Sequence, residues 1–249
     1  LDIEKITQKM FERSVHKKRI QSISNAILDV IHSGSLIIHR VGMGLATAKH
    51  LLPKHAIKQV DRLLSNEKFD VWSSFASFIP TVIGRRKKII VAIDWTDFDR
   101  DDQSTVAIHL TTSHGRATPL VWKTVKKSTL KNKRTAYEKE VLAKLKASIQ
   151  EDVEVTVLAD RGFGGTCLYD FLKNELGFDY VIRFRGNIYV TDQNGEKRKA
   201  KDWVGAKGRT KTVRNAKVTC AEYQVAKVVC VKASNMKESW CIASSDGDF

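Results

Sequence analysis

The chain has 249 residues, four cysteines and a formal net charge of +15, with a sequence pI of about 9.7. The cysteines show no C-x-x-C spacing and are too scattered for a disulfide framework, so a zinc module and a disulfide-rich secreted domain are excluded and reduced cytosolic thiols are expected. No apolar run reaches the roughly 18–20 residues that a membrane span requires, and the positive charge favours a polyanionic partner.

The charge is unevenly distributed along the chain. Residues 1–88 contain 16 Lys and Arg against 7 Asp and Glu, residues 89–160 contain 11 of each, and residues 161–249 contain 16 against 10. A neutral, acid-rich centre between basic flanks suits metal chemistry on a phosphate backbone, although a well-solvated basic surface would explain the same distribution.

The first part of the chain has the apolar period of helices. Residues 2–32 are predicted to be helical up to Ser33-Gly34, and two further helices are predicted on either side of Pro53, over 45–52 and 56–64. We expect residues 1–87 to form a helical region that contributes to DNA binding. The pair around Pro53 resembles a DNA-binding unit, but an ordinary helical hairpin is the simpler interpretation.

From residue 88 the pattern changes to that of strands. A strand ends at Asp94, a hairpin covers 104–125, a helix covers 135–149, a strand ends at Asp160, a helix covers 166–176 and a strand covers 180–184. This order predicts an α/β fold with a ribonuclease-H-like mixed sheet flanked by helices over residues 88–185. In such a sheet the first strand is central and the fourth lies beside it, so Asp94 and Asp160 would meet.

Residues 186–243 contain short strands separated by turns such as Asn194-Gly195. We predict an inserted antiparallel β subdomain here, with residues 244–249 beginning a return to the core. From Arg183 to Lys217 there are 11 Lys and Arg and only 3 acids. This excess favours a basic face, although a β extension with solvated lysines is the alternative.

Two carboxylates at the ends of buried strands are typical of metal-dependent phosphoryl transfer. Two Mg²⁺ ions, for which Mn²⁺ can substitute, would need a few hard oxygen ligands held rigidly, and Asp94 and Asp160 are the candidates for both catalysis and metal binding. Helix or turn capping is the structural alternative for each. Asp97 follows three residues after Asp94 and could support the metal site from nearby. A solvated acidic loop is the alternative for Asp97, and we favour it.

The segments Ala92-Ile93-Asp94-Trp95-Thr96 and Leu158-Ala159-Asp160-Arg161-Gly162-Phe163 resemble the first and second catalytic motifs of bacterial DDE transposases. The resemblance is greatest to the cut-and-paste enzymes of insertion-sequence family four and extends over most of the chain. It implies that Asp94 and Asp160 bind the metal and that Arg161 and Gly162 shape the second motif. It also implies an aromatic side chain that holds a flipped base, for which Trp203 and Trp240 are candidates, although either residue would more commonly be a core Trp.

The resemblance further implies the partners and the reaction. Water would cut one strand at a transposon end, the freed 3′-hydroxyl would attack the opposite strand to form a hairpin, and the reopened ends would join target DNA. The partners would be double-stranded DNA, as transposon ends and target, with a dimer in the DNA complex, no membrane, and a place at the nucleoid of the bacterial cytoplasm. The residues expected to contact phosphates are Arg161, Arg183, Arg185, Lys197, Arg198, Lys199, Lys201, Lys207, Arg209 and Lys211.

The chain departs from that family in one respect. The Tyr-x₂-Arg-x₃-Glu-x₆-Lys signature that carries the third carboxylate is not found, since neither Tyr180 nor Tyr223 is followed by Arg and Glu at these spacings. Asp246 and Asp248 would be poorly positioned as substitutes. We therefore expect a transposase fragment that ends before its catalytic Glu motif. The alternatives are a catalytically incomplete DNA-binding derivative that occupies transposon ends or inhibits the complete enzyme, and a stand-alone nuclease of the same fold.

Overall fold

The computed structural model describes residues 2–12, 14–113 and 115–247. The chain divides into two compact units, residues 1–84 and 85–249. In the described part of the chain no helix combines the length and the hydrophobicity that a membrane span requires.

The first unit is helical, as the apolar period predicts. Its helices are α1 (Ile3–Phe11), α2 (Lys17–Ser33), α3 (Ile38–Lys49), α4 (Pro53–Leu64) and α5 (Val71–Ile83). Helix α4 begins at Pro53 itself rather than after it, because the missing amide hydrogen and fixed φ of proline suit the first helical position. Helix α2 ends as predicted, with Gly34 in the left-handed conformation after Ser33.

Helices α3 and α4 pack closely through a small apolar core. Its buried residues are Val41, Leu45, Ala46, Ala56 and Val60. A Cβ atom at Gly42 would lie 2.5 Å from the Cα atom of Ile57, so only glycine permits this approach of the two helices. The pair thus forms a packed helical hairpin. Its contribution to DNA binding stays a prediction.

A buried acid in α2 makes the stability of this unit depend on pH. Asp29 is fully buried, neither carboxylate oxygen has a hydrogen-bond partner, and burial raises its pKa from 3.8 to about 6.

As pH rises, Asp29 ionises in the unfolded chain before it ionises in the folded one. The free energy of unfolding should therefore fall by about 3 kcal/mol between about pH 4 and pH 6 and stay level above pH 6. We expect Asp29→Asn to remove this decline in thermal melts; an Asn variant with the same pH profile as the parent would contradict it.

The second unit is built on one ten-stranded mixed sheet. The strands are β1 (Lys88–Phe98), β2 (Gln103–Leu110), β3 (Thr118–Lys126), β4 (Glu154–Ala159), β5 (Asp179–Phe184), β6 (Tyr189–Thr191), β7 (Lys197–Lys199), β8 (Lys211–Val218), β9 (Tyr223–Val231) and β10 (Trp240–Ser244). Their order in the sheet is β3-β2-β1-β4-β5-β10-β9-β8-β6-β7. The predicted α/β fold with a mixed sheet flanked by helices is confirmed.

The centre of the sheet is parallel. Strand β4 lies between β1 and β5 and is parallel to both, with Ile93 opposite Ala159 and Ala159 opposite Ile182. The predicted neighbourhood of the first and fourth strands is therefore confirmed. Strand β1 does not end at Asp94 as predicted but continues to Phe98, because its last residues pair with β2 beyond the point where β4 stops.

Helices cover the sheet at two places. Helix α6 (Arg134–Ser148) packs on β2 and β3 and buries Val141, Leu142 and Leu145, which belong to the predicted apolar stripe. Helix α7 (Thr166–Asp170) continues into a π-helical turn, Phe171–Glu175.

The strands predicted within residues 186–243 extend this same sheet. Strand β10 pairs antiparallel with β5 on one side and with β9 on the other, and so joins the strands β6 to β9 to the core. The expected division into a helical region, a core, an insertion and a return segment stays a prediction.

Candidate functional site

Asp94 and Asp160 emerge side by side at the same edge of the parallel core. Asp94 follows Ile93 in β1. Asp160 follows Ala159, which is the last residue of β4 and the pairing partner of Ile93. The register of the two strands therefore places the aspartates opposite each other, on strands whose axes are about 4.8 Å apart. The sheet holds both backbones, so the two carboxylates start from fixed positions.

Local hydrogen bonds orient both side chains. The backbone N–H of Trp95 donates to Oδ1 of Asp94 at 2.8 Å, and the backbone N–H of Gly162 donates to Oδ1 of Asp160 at 2.6 Å. A Cβ atom at Gly162 would lie 3.2 Å from that same Oδ1, so the glycine permits the tight turn. Capping of the turn Arg161–Phe163 by Asp160 is thus real, but it uses only part of the carboxylate. Both aspartates are exposed, and neither has an ion-pair partner in the described part of the chain.

The two aspartates line one groove of about 430 Å³. Its other lining residues are Ala92, Ile93, Leu158, Ala159, Val181, Arg183, Trp240 and Ile242. The groove therefore combines two acids, one arginine and one large aromatic ring on an apolar floor formed by neighbouring strands.

The two tryptophans predicted as base-holding candidates lie in different environments. Trp240 is 46% exposed, stands in the groove and has the guanidinium of Arg183 over its ring at 5.0 Å. Trp203 is buried, and its indole N–H donates to the carbonyl of Val190 at 3.2 Å. Trp203 thus has the surroundings of a core residue, and we carry Trp240 forward as the candidate.

A buried acid that the sequence analysis did not single out supports β1 from the other face. Glu138 of α6 is 5% exposed and accepts a hydrogen bond from the indole N–H of Trp95 at 2.9 Å, while Arg134 covers that indole at 4.8 Å. Burial raises the pKa of Glu138. Since successive strand residues point to opposite faces, Trp95 and Glu138 lie across the sheet from Asp94. Glu138 therefore anchors β1 and is not part of the groove.

Other acids considered as ligands lie elsewhere. Asp97 accepts from the hydroxyl of Ser104 at 2.6 Å and pairs with Lys127 at 2.8 Å, which holds its pKa below the usual value. Asp246 follows the last residues of β10, where the backbone N–H of Ser245 donates to the carbonyl of Tyr180 at the start of β5. Asp246 therefore lies at the edge of the sheet opposite to the one that bears Asp94. Asp248 lies outside the described residues.

A basic cavity of about 430 Å³ adjoins the groove and shares Arg183 with it. Its charged lining residues are Arg161, Arg183, Arg185, Lys201, Lys232, Lys237 and Glu238. Four of these cations were predicted as DNA contacts, whereas Lys232, Lys237 and Glu238 were not. In the sequence, these three residues could have been found only from the charged segment that precedes Trp240.

The other predicted phosphate contacts do not line this cavity. Lys197, Arg198 and Lys199 form the exposed edge strand β7, and the exposed residues Lys207, Arg209 and Lys211 precede or begin β8.

The donor chemistry of the groove suits a hard cation. Carboxylate oxygens are the ligands that Mg²⁺ prefers, and it keeps several waters when a protein offers only one or two of them. Among residues 2–12, 14–113 and 115–247, no three His, Cys, Asp or Glu side chains lie close enough to form a metal site. Asp94 and Asp160 would thus provide only part of a set of ligands for such a cation.

Comparison with known proteins identifies the second unit. Residues 85–228 match the family described as "Transposase DDE domain". None of the curated proteins compared with this sequence matches it. Among solved structures, a Marinitoga piezophila Argonaute in complex with 5′ OH guide RNA is similar at 11% identity with a TM-score of 0.27, over 84% of this chain and 32% of that one. The same Argonaute with guide RNA and target DNA has 11% identity and a TM-score of 0.25, over 80% and 28%.

The chain spans about one third of the length of these solved chains. The family match, by contrast, covers more than half of this sequence and contains both aspartates, the parallel core and most of the strands that extend the sheet. The chain belongs to the transposase DDE domain family.

Proposed function

We propose that this chain takes part in cut-and-paste DNA transposition of the bacterial insertion-sequence type, with Asp94 and Asp160 as ligands of two Mg²⁺ ions for which Mn²⁺ can substitute. The observation that carries the proposal is the strand register, which sets the two carboxylates opposite each other in one groove. Metal ions bound there would activate the attacking oxygen and stabilise the leaving oxygen of a phosphodiester.

The surrounding residues would bind and orient the DNA. Arg183 lines the groove with the two aspartates and Arg161 lines the adjoining cavity, and their guanidiniums would pair with phosphate oxygens of the strand being cut. The exposed ring of Trp240 would stack with a base turned out of the duplex. The cations of β7 and of residues 207–211 would contact phosphates farther along, which adds affinity and salt dependence without reading sequence.

Cleavage and joining of two transposon ends would require two active sites, so we propose a dimer in the DNA complex. A bacterial origin would place the reaction at the nucleoid in the cytoplasm. Both statements follow from the resemblance to the family.

A second function is supported by the incomplete ligand set. The described residues bring only two carboxylates to the groove, whereas the family signature supplies a third. The chain would then occupy transposon ends without cutting them, and would inhibit a complete enzyme that needs the same ends.

One experiment separates the two functions. The purified chain is incubated with supercoiled plasmid in Mg²⁺, Mn²⁺ or EDTA, and nicking and binding are measured on the same samples. Nicking that requires the metal supports catalysis, and metal-independent binding without nicking supports the inhibitory function. A chain that neither nicks nor binds DNA would overturn both.

A further inference from the structure

One carboxylate of the chain, that of Glu238, lines the basic cavity beside the groove. Glu238 lies in the turn between β9 and β10, and its carboxylate accepts from Nη1 of Arg161 at 2.8 and 3.0 Å and from Nη2 of Arg183 at 2.5 Å. One acid thus holds both Arg161, which follows Asp160 in the chain, and Arg183, which lines the groove, although it is 77 and 55 residues away from them in sequence.

The rest of the cavity has an excess of positive charge. Six cations and one acid line it, and four of the cations have no carboxylate within 4.0 Å in the described part of the chain; these are Arg185, Lys201, Lys232 and Lys237. A single carboxylate therefore leaves most of this charge uncompensated. A DNA backbone would compensate it better, because its successive phosphates bring several charges to the cations that Glu238 does not pair with, each on oxygens that match the guanidinium fork.

We propose that the cavity is a binding site for a backbone phosphate of DNA and that Glu238 occupies the place of this phosphate in the DNA-free chain. The proposal rests on the DNA-processing function above and adds to it a competing group within the chain. Glu238 keeps Arg161 and Arg183 turned toward the cavity, and the incoming phosphate displaces its carboxylate.

The exchange is favoured because one of the two internal pairs, Glu238–Arg161, is exposed and weak. Glu238 and Arg161 have side chains 52% and 50% exposed, and ion pairs at such positions contribute only about 0–1 kcal/mol. The turn that carries Glu238 leads directly to Trp240, which lines the groove. Displacement of Glu238 would therefore move the segment next to the proposed base-stacking ring.

The test compares Glu238→Gln with Glu222→Gln. Glu222 is a matched control, since it is 47% exposed, pairs with one cation, Lys217, and lies outside the cavity. Binding of a short duplex is measured in EDTA over a range of salt concentrations, so that the result does not depend on cleavage. Binding of inorganic pyrophosphate is followed by the rise in melting temperature.

We expect Glu238→Gln to bind the duplex about fivefold more tightly than the parent. Its slope of log affinity against log salt should be steeper by about one phosphate contact, because the counterion that replaces the Glu238 carboxylate in the cavity is released when DNA binds. Pyrophosphate should raise its melting temperature more than that of the parent. Glu222→Gln should match the parent in both measurements.

The outcomes separate this proposal from the proposed function. Equal or weaker duplex binding by Glu238→Gln, with the parent binding DNA, would overturn the competing role of Glu238 and leave the function intact. If no variant binds DNA but pyrophosphate stabilises Glu238→Gln selectively, an anion site occupied by Glu238 stands, whereas its assignment to a DNA phosphate and the DNA function are both overturned. No response to either probe would overturn both.

Discussion

In a protein completed by the third carboxylate, replacing Asp94 or Asp160 by Asn is expected to abolish metal-dependent DNA cleavage and to leave DNA binding intact. Asn keeps the shape of the side chain and one acceptor oxygen, so the bonds from the N–H groups of Trp95 and Gly162 can persist. It removes the negative charge that a hard cation requires. We expect Mn²⁺ affinity, measured by electron paramagnetic resonance, and plasmid nicking to fall by at least about 100-fold.

Asp97→Asn is the matched control for this prediction. Asp97 lies three residues after Asp94 in the same strand, but it pairs with Lys127 and Ser104 and does not line the groove. Its substitution should lower stability by no more than about 1 kcal/mol and leave Mn²⁺ binding unchanged. Loss of metal binding in all three variants would point to a general change in β1, and retained nicking in Asp94→Asn or Asp160→Asn would overturn the site assignment.

Removing the charges of the edge strand β7 should weaken DNA binding and reduce its salt dependence. In the variant, Lys197, Arg198 and Lys199 are all replaced by Gln, which keeps the side-chain stems, including that of Arg198 over the ring of Trp203. If the three cations contact phosphates, the slope of log affinity against log salt should become shallower by about 2 to 3. Affinity near 0.1 M salt should fall about tenfold.

A second triple variant controls for net charge. Lys126, Lys131 and Lys133 are exposed, and Lys126 ends β3, the edge of the sheet opposite β7. Their replacement by Gln changes the charge by the same amount and should alter the salt slope by less than one contact. Equal slopes in the two variants would mean that the charge of β7 acts only through the overall field and that its side chains do not touch DNA.

The core of the candidate site could be predicted from sequence because its signals are local. The run before Asp94 and the run before Asp160 have the length and composition of buried strands, and each ends in an acid. The order of the elements then indicated which strands are neighbours, and the pairing of Ile93 with Ala159 confirms it. The roles of the two acids in metal binding remain a prediction that the substitutions above test.

Contacts between distant segments could not be predicted in the same way. The pairing of Glu238 with Arg161 and Arg183 depends on where β10 enters the sheet, and several orders of β5 to β10 would satisfy the same alternation of apolar residues. Glu138 was missed for a related reason. Its helix was predicted, but a hydrogen bond to an indole across 43 residues leaves no mark on the periodicity of either element.

The sequence by itself thus determined the two kinds of unit, the strands of the core and the acids at their ends, because hydrophobic period and turn residues act over short stretches of chain. Only the tertiary structure decided that β10 lies between β5 and β9, and this brings Trp240 into the groove with Asp94 and Asp160. It likewise decided that Glu238 faces two arginines. Strand order and the direction of a turn are set by the packing of the whole sheet, and that packing has no local signature.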